Sequence, residues 1–343
     1  MLDVSLTIDD LPSLLQYISP DVDRTTWVMI GNAIKTEYGE IGFSYFDNWS
    51  AAGASYKQKD TKTAWNSLKI GKNNLGVIVN MAKERGWQYP KKTLTPAEKK
   101  RIKEEQEARR LEREAQIQAD DAKLKRMQSI VAPACQKVWD NFGIKFGHSE
   151  YLKNKKVTAL DIRFFHQSVV LWIDDIEEKA GVISGAKVSE FFKKLPKPRP
   201  DNIYFLFFKK GTIAVPLYDD QFKLWSLQAI NGTGVKLFPK YGRKMGLFHI
   251  LGVGQLDIAK AVAMAEGYAT AASIHMATEW PVFVCFDAGN MVNVAPVVKE
   301  KCPNMPILVC GDKDENGAGQ AAALKAAELI GADVVLPDFG DTA

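Results

Sequence analysis

No Cys-x-x-Cys pair occurs anywhere in this chain of 343 residues. Its four cysteines, Cys135, Cys285, Cys302 and Cys310, are too scattered to frame a disulfide network or a zinc ribbon. Cys285 and Cys310 fall within apolar runs, where a small reduced thiol is the ordinary occupant. No apolar stretch approaches the roughly 20 residues that a membrane-crossing helix needs. The first residues, Met1-Leu2-Asp3-Val4-Ser5, lack the basic region and apolar run of a signal peptide, so a cytoplasmic protein without a membrane partner is expected. The four histidines are dispersed, and a structural role is expected even for His148, which lies in a motif. An excess of one charge is missing too. The net charge of +4 permits nucleic-acid binding without arguing for it, so any grip on a polyanion must come from local clusters.

What is present divides the chain into two or three domains by length and composition. Residues 1–92 read as a small helical domain rich in tryptophan. Helices are expected over Leu11–Ile18, with Pro12 in the first turn, and from Asp23 to Ile34, where Trp27, Ile30 and Ile34 share a face. Tyr56–Leu68 and Leu75–Lys83 continue the pattern. The tryptophans are most simply core residues; base-stacking platforms are the sharper alternative. Residues 93–129 form a charged linker. Thr95-Pro96-Ala97-Glu98 is a capping box that launches a helix with both charge signs interleaved to about Met127. Apolar residues there are too sparse for a coiled-coil seam, so its lysines and arginines are expected merely to solvate it. Residues 130–255 look mixed α/β, feeding a parallel sheet within 256–343.

In that last region two acidic motifs follow apolar runs. Glu266-Gly267 comes directly after Ala261–Ala265, and Gly311-Asp312-Lys313-Asp314 directly after Pro306–Cys310. Both runs read as buried parallel strands, so both motifs fall at strand carboxyl ends, where open α/β sheets place ligands. Glu266, Asp312 and Asp314 would then share one acidic pocket. Converging carboxylates repel one another, and a divalent cation bound by oxygen alone, magnesium or manganese, is the usual remedy. Read singly, Asp-x-Asp is equally a solvated turn and Glu266 a helix N-terminal carboxylate; their joint placement favours a site. Glu-Gly after one strand and Asp-x-Asp after a later one, each followed by a helix, resemble a Toprim domain. Bacterial-type primases, topoisomerases and some nucleases share it. Phe286-Asp287-Ala288-Gly289-Asn290 and the text from Gly311 to Gly317 resemble the variant in primases of phages, plasmids and other mobile elements.

Two further stretches support the resemblance. Ser19–Trp27, Gly42–Ser50, Trp65–Leu68 and Ala82–Trp87 resemble the primase C-terminal type-2 (PriCT-2) domain, which in its family usually follows a catalytic domain but here opens the chain. His148–Val157 is similar to the Tyr-Leu-x-x-(Arg/Lys)-Gly segment of bacterial primase cores, although Lys156 stands where many relatives have glycine. Ile213–Asp219 resembles their Ile-x-x-Pro-Ile-x-(Asp/Asn) strand, and Leu224–Gln228, Val235–Lys240 and Gly242–Phe248 follow in the family's order.

The resemblance implies a DNA primase that synthesises short RNA primers on single-stranded DNA from ribonucleoside triphosphates, working with a replicative helicase. Glu266, Asp312 and Asp314 would be its catalytic metal ligands, with magnesium or manganese and no zinc. Lys236, Lys240, Arg243 and Lys244 would line the nucleotide and template groove, although a solvated basic loop is the plainer reading. Gln228 either orients a sugar or base edge or is a buried structural amide. Gly317 either lets a phosphate approach the following helix or serves a turn. Asp287 is a further ligand, a supporting carboxylate, or a cap of the helix starting near Gly289. Relatives continue beyond Leu336–Ala343 with another acidic motif, so a piece of a longer primase or primase–helicase is expected. The rival readings are a Toprim nuclease using the same acids with water, and a non-catalytic single-strand-binding replication adaptor. A topoisomerase would need a nucleophilic tyrosine, and nothing frames Tyr241 or Tyr268 as one.

Overall fold

The structure is a computed structural model that describes residues 6–68, 71, 73–89, 95–312 and 317–337. They form two compact units, Met1–Lys123 and Leu124–Ala343.

The first unit is helical: α1 (Leu11–Leu15), α2 (Arg24–Tyr38), α3 (Phe43–Ser50), α4 (Gln58–Ser67), α5 (Leu75–Glu84) and the start of α6 (Pro96–Asn141). Local chemistry sets these bounds. Asp23 caps α2 by accepting from the Thr26 amide at 3.0 Å, Asn74 caps α5, and Gly39 ends α2 at a φ of 61°. The core gathers Leu11, Leu14, Ile30, Ile34, Phe46, Trp65, Ile78 and Val79. Three tryptophans are core residues whose indole N–H groups are each satisfied. Trp49 donates to the Ile18 carbonyl at 2.8 Å, Trp65 to Glu40 at 2.8 Å and Trp87 to Ser13 at 3.0 Å. Trp27 is half-buried, with the Arg24 guanidinium 4.6 Å from its ring centroid.

The capping box at α6 forms as expected, the Thr95 amide donating to Glu98 at 2.8 Å and the Glu98 amide to the Thr95 hydroxyl at 3.3 Å. Two expectations about this helix need correction. It does not stop near Met127 but runs to Asn141, because Met127, Val131, Cys135 and Val138 supply an apolar stripe that packs in the core of the second unit. Nor are all its basic residues merely solvating. Arg113 pairs with Glu37 at 2.9 Å, both side chains less than a fifth exposed.

The second unit holds three sheets. The elements after α6 are α7 (Glu150–Lys155), β1 (Arg163–Phe164), β2 (Val169–Asp174), β3 (Lys179–Ser184), α8 (Ala186–Lys194), β4 (Ile203–Phe208), β5 (Ile213–Tyr218), β6 (Leu224–Ile230), β7 (Lys236–Leu237) and β8 (His249–Leu251). Then come β9 (Val262–Ala265), α9 (Tyr268–Thr278), β10 (Val282–Val284), α10 (Ala288–Lys301), β11 (Ile307–Cys310), α11 (Ala318–Ile330) and β12 (Asp333–Val335). Two antiparallel sheets, β1-β5-β6-β7 and β3-β2-β4, precede a five-stranded sheet of order β12-β11-β9-β10-β8. In that last sheet β10, β9, β11 and β12 are parallel and β8 is an antiparallel edge.

Short runs of Val, Ile, Ala and Met without polar alternation make β9, β10 and β11, which suits strands covered on both faces. Tyr268, Ala271 and Ala272 of α9 cover one face. Met291, Val294 and Val298 of α10, with Ala323, Ala326 and Ile330 of α11, cover the other. The chain moves from β9 outward to β10, then crosses back to β11 on the other side of β9. The switch in direction lies between β9 and β11, and a crevice opens at the carboxyl ends of strands placed so.

Candidate active site

Strand register sets the geometry of the carboxylates. Ala265 pairs with Cys310 on one side and Val284 on the other, so all three strands end level. Glu266 is the first residue past β9, Gly311 and Asp312 the first two past β11, and Cys285, Phe286 and Asp287 the first three past β10. Neighbouring strands lie about 4.8 Å apart, so these residues emerge side by side at the switch point. Burial first, then the charges of Asp287 and Glu266, push the Cys285 thiol pKa up. Asp314 lies outside the described residues, as do its neighbours Lys313, Glu315 and Asn316. Among the described residues no group of three or more His, Cys, Asp or Glu side chains is arranged to hold a metal. Glu266 and Asp312 nonetheless fit a hard cation by donor type and position, offering carboxylate oxygens from adjacent strand ends.

Two glycines of the motifs have packing reasons. A Cβ on Gly311 would lie 2.7 Å from Ala323 Cβ and 2.9 Å from Leu336 Cδ2, so only glycine lets α11 close on the strand end. Gly317 sits at a φ of 69° as the residue before α11, a conformation that favours glycine.

Of the basic residues expected at the site, the structure brings two to it. A Cβ on Gly267 would lie 3.2 Å from Lys236 Nζ, which places that ammonium beside the backbone that follows Glu266. Lys244 forms an ion pair with Asp287. Asp287 also caps α10, accepting from the Asn290 amide at 2.7 Å, so its carboxylate already has two partners. The other two basic residues rest on rings. Lys240 lies 5.1 Å from the Tyr204 centroid and 5.4 Å from that of Tyr241, and the Arg243 guanidinium 4.9 Å from that of Trp225. Trp225 in turn donates to Asp219 at 2.7 Å. Burial would raise the Asp219 pKa, but that bond, the amides of Lys223 and Gln221 and the charge of Arg243 hold it below the usual carboxylate range. Gln228 is buried in β6 opposite Val215, away from solvent. His148 is exposed, 2.6 Å from Glu150 at the start of α7.

Asn290 has a larger part than its motif indicated. Its buried amide donates to the Leu247 carbonyl at 2.9 Å and the Cys285 carbonyl at 2.8 Å, and accepts from the Gly246 amide at 2.8 Å. One side chain thereby clips the basic loop to the end of β10 and holds Lys244 over Asp287. The local signal in the sequence was the Asp-x-x-Asn spacing at a helix start. It indicates a cap, and not what the asparagine grips.

Residues 11–82 match the family described as Primase C terminal 2 (PriCT-2), and residues 261–340 match the Toprim domain. The chain therefore carries a PriCT-2 domain and a Toprim domain. Two Escherichia coli proteins, each called DNA primase TraC, are 35% identical over 133 residues. The matched part is 36% of this chain but 12% and 9% of those proteins, so the chain spans about a tenth of the curated relatives it matches. Among solved structures, the Aquifex aeolicus primase (zinc binding and RNA polymerase domains) is 13% identical with a TM-score of 0.39, over 78% of this chain and 62% of that one. A DNA primase domain from Pseudomonas aeruginosa is 15% identical with a TM-score of 0.35, over 64% and 72%.

Proposed function

We propose that this chain is the catalytic part of a DNA primase that joins ribonucleotides on a single-stranded DNA template. The observation that carries the reading is the level ending of β9, β10 and β11. It sets Glu266 and Asp312, both inside the span that matches the Toprim domain, on either side of the switch point, and Lys236 reaches Gly267 from a neighbouring sheet. Glu266, Asp312 and Asp314 would hold magnesium or manganese; no zinc is part of the proposal. Bound there, the ions supply a lowered pKa for the attacking hydroxyl and neutralise charge at phosphorus. In the reaction the primer 3′-hydroxyl gives up its proton to water, its oxygen bonds to the α-phosphorus of the incoming triphosphate, the α–β bridge bond breaks, and pyrophosphate leaves. Lys236 stabilises the triphosphate as a point charge. Lys244 neutralises Asp287 and keeps that carboxylate from crowding the pocket. We place the functional divisions at 1–92, 93–129, 130–255 and 256–343, with a cytoplasmic setting and a replicative helicase as the working partner.

The test is incubation with single-stranded templates, all four ribonucleotides and magnesium or manganese. Labelled oligoribonucleotides that disappear in Glu266→Gln support the reading. Shortened template would make the site a nuclease, and template binding without any product would make the chain an adaptor.

A further inference from the structure

Strand alternation gives the β3-β2-β4 sheet two faces of different character. Val169, Leu171 and Ile173 of β2, with Leu206 and Phe208 of β4, are buried in a core cluster. The opposite face carries Trp172 with Gly181 and Phe205 beside it in register, and Phe207 further along β4. A Cβ on Gly181 would lie 2.8 Å from the Trp172 indole, so the indole lies flat over the glycine. Phe191 and Phe192 of α8 cross this face. Phe191 stacks near Trp172 at 6.1 Å, and Phe192 lies 4.9 Å from Phe205 and 5.7 Å from Phe207, nearly parallel to the latter. Five rings thus form a continuous layer, yet it never closes. No residue of α8 is buried, and Phe207 is 40% exposed.

The segment that borders this layer is basic. Residues 185–210 hold seven lysines and arginines against two acids, an excess of five where the whole chain nets +4. All seven are exposed, and among the described residues only Lys194 has a carboxylate partner, Glu190 at 2.6 Å. Arg199 lies 5.4 Å from the Phe205 centroid and Lys209 5.6 Å from that of Phe207. At the carboxylate site Lys244 is already paired with Asp287.

We propose that this aromatic face and the basic segment 185–210 form a binding surface for single-stranded DNA, separate from the carboxylate-bearing strand ends. Unpaired cations match phosphates, and half-open rings offer stacking faces to bases. A duplex hides its base faces, so a single strand is the form that uses both features. An acidic peptide would answer the lysines but would gain nothing from the rings. The inference leans on the primase reading only in taking the bound strand as template; the binding itself is independent of it.

The experiment measures full-chain binding to a fluorescent oligothymidylate by anisotropy at several salt concentrations. Lys193→Ser, Lys197→Ser, Arg199→Ser and Lys209→Ser are combined in one variant, all at exposed positions without ion pairs. The slope of log K against log salt should flatten by about 0.7 per lost contact, up to roughly 2.8. Phe207→Ser should weaken binding about 5- to 100-fold and leave the slope unchanged. Bromodeoxyuridine-substituted oligonucleotide should photocrosslink to peptides from 185–210. Wild-type affinity and slope in the quadruple variant, or crosslinks confined elsewhere, overturn the proposal. Loss of binding in the quadruple variant, a normal Phe207→Ser and equal competition by polyglutamate would make the surface an acidic-protein site instead. Should Phe207→Ser fail to fold, the charge variant and the crosslinks decide. A wild-type chain that binds through this surface but makes no primer sinks the polymerase reading alone. A chain that makes primer, with a quadruple variant that binds normally, sinks this one alone.

Discussion

Replacing Asn290 by leucine should be among the most damaging conservative changes in the second unit. The side chain is 3% exposed and satisfies three backbone groups, the Gly246 amide and the carbonyls of Leu247 and Cys285. A buried polar group stripped of its partner costs about 1–3 kcal/mol. Gly246 is half-buried, so water replaces part of what its amide loses, and the expected total is about 3–4 kcal/mol. That is a large share of the roughly 5–15 kcal/mol that holds a domain folded. Hydrogen-exchange mass spectrometry reads the effect locally: amides over 243–248 and the start of α10 should exchange roughly 100- to 700-fold faster, at about 1.4 kcal/mol per decade. Primer synthesis should fall as well, because the freed loop no longer holds Lys244 over Asp287. Asn293→Ala is the control, since that residue of the same helix is exposed and its amide donates to the Gly289 carbonyl, at 3.1 Å. Equal exchange in Asn290→Leu and Asn293→Ala would refute the clip.

Glu266→Gln should abolish primer synthesis while thermal unfolding stays within a few degrees of wild type, and Asp312→Asn should weaken magnesium binding in a calorimetric titration. Unchanged turnover or unchanged metal affinity would remove the residue concerned from the site. Gly311→Ala should destabilise by about 1–3 kcal/mol, because its Cβ would meet Ala323 at 2.7 Å with Leu336 just behind; a variant as stable as wild type in urea would show that α11 can yield. The depressed Asp219 pKa stabilises the fold fully above the unfolded-state value near 4, and that contribution is lost as pH falls through the lower folded value. Asp219→Asn should therefore flatten the acid side of the stability curve below about pH 4, and an unchanged acid limb would contradict the assignment.

The strand ends were legible because short unbroken apolar runs suit strands covered on both faces, and each acidic motif follows such a run directly. The capping box at Thr95 and Glu98 and the apolar spacing of the tryptophan-rich helices were legible for a similar reason, since the interactions lie within a few residues. The fate of long cationic side chains was not. Lys236, Lys240, Arg243 and Lys244 look alike in the sequence, yet one approaches Gly267, one pairs with Asp287 and two settle on aromatic rings. The aromatic layer under α8 went unread for a related reason. Its phenylalanines come from a helix and a strand whose facing sides are known only once the sheet forms.

Local chemistry alone therefore determined the helical first part, the capped long helix, the parallel sheet and the strand-end position of Glu266 and Asp312. Burial periodicity and capping act over a few residues and leave their mark in the text. Tertiary structure alone decided that Arg113 meets Glu37, that Asn290 grips Gly246 and Leu247 and that Gln228 is sealed in β6. These contacts join residues tens of positions apart or depend on which face of an element is covered. Neither separation in space nor the covering of a face is encoded in the spacing of neighbouring residues.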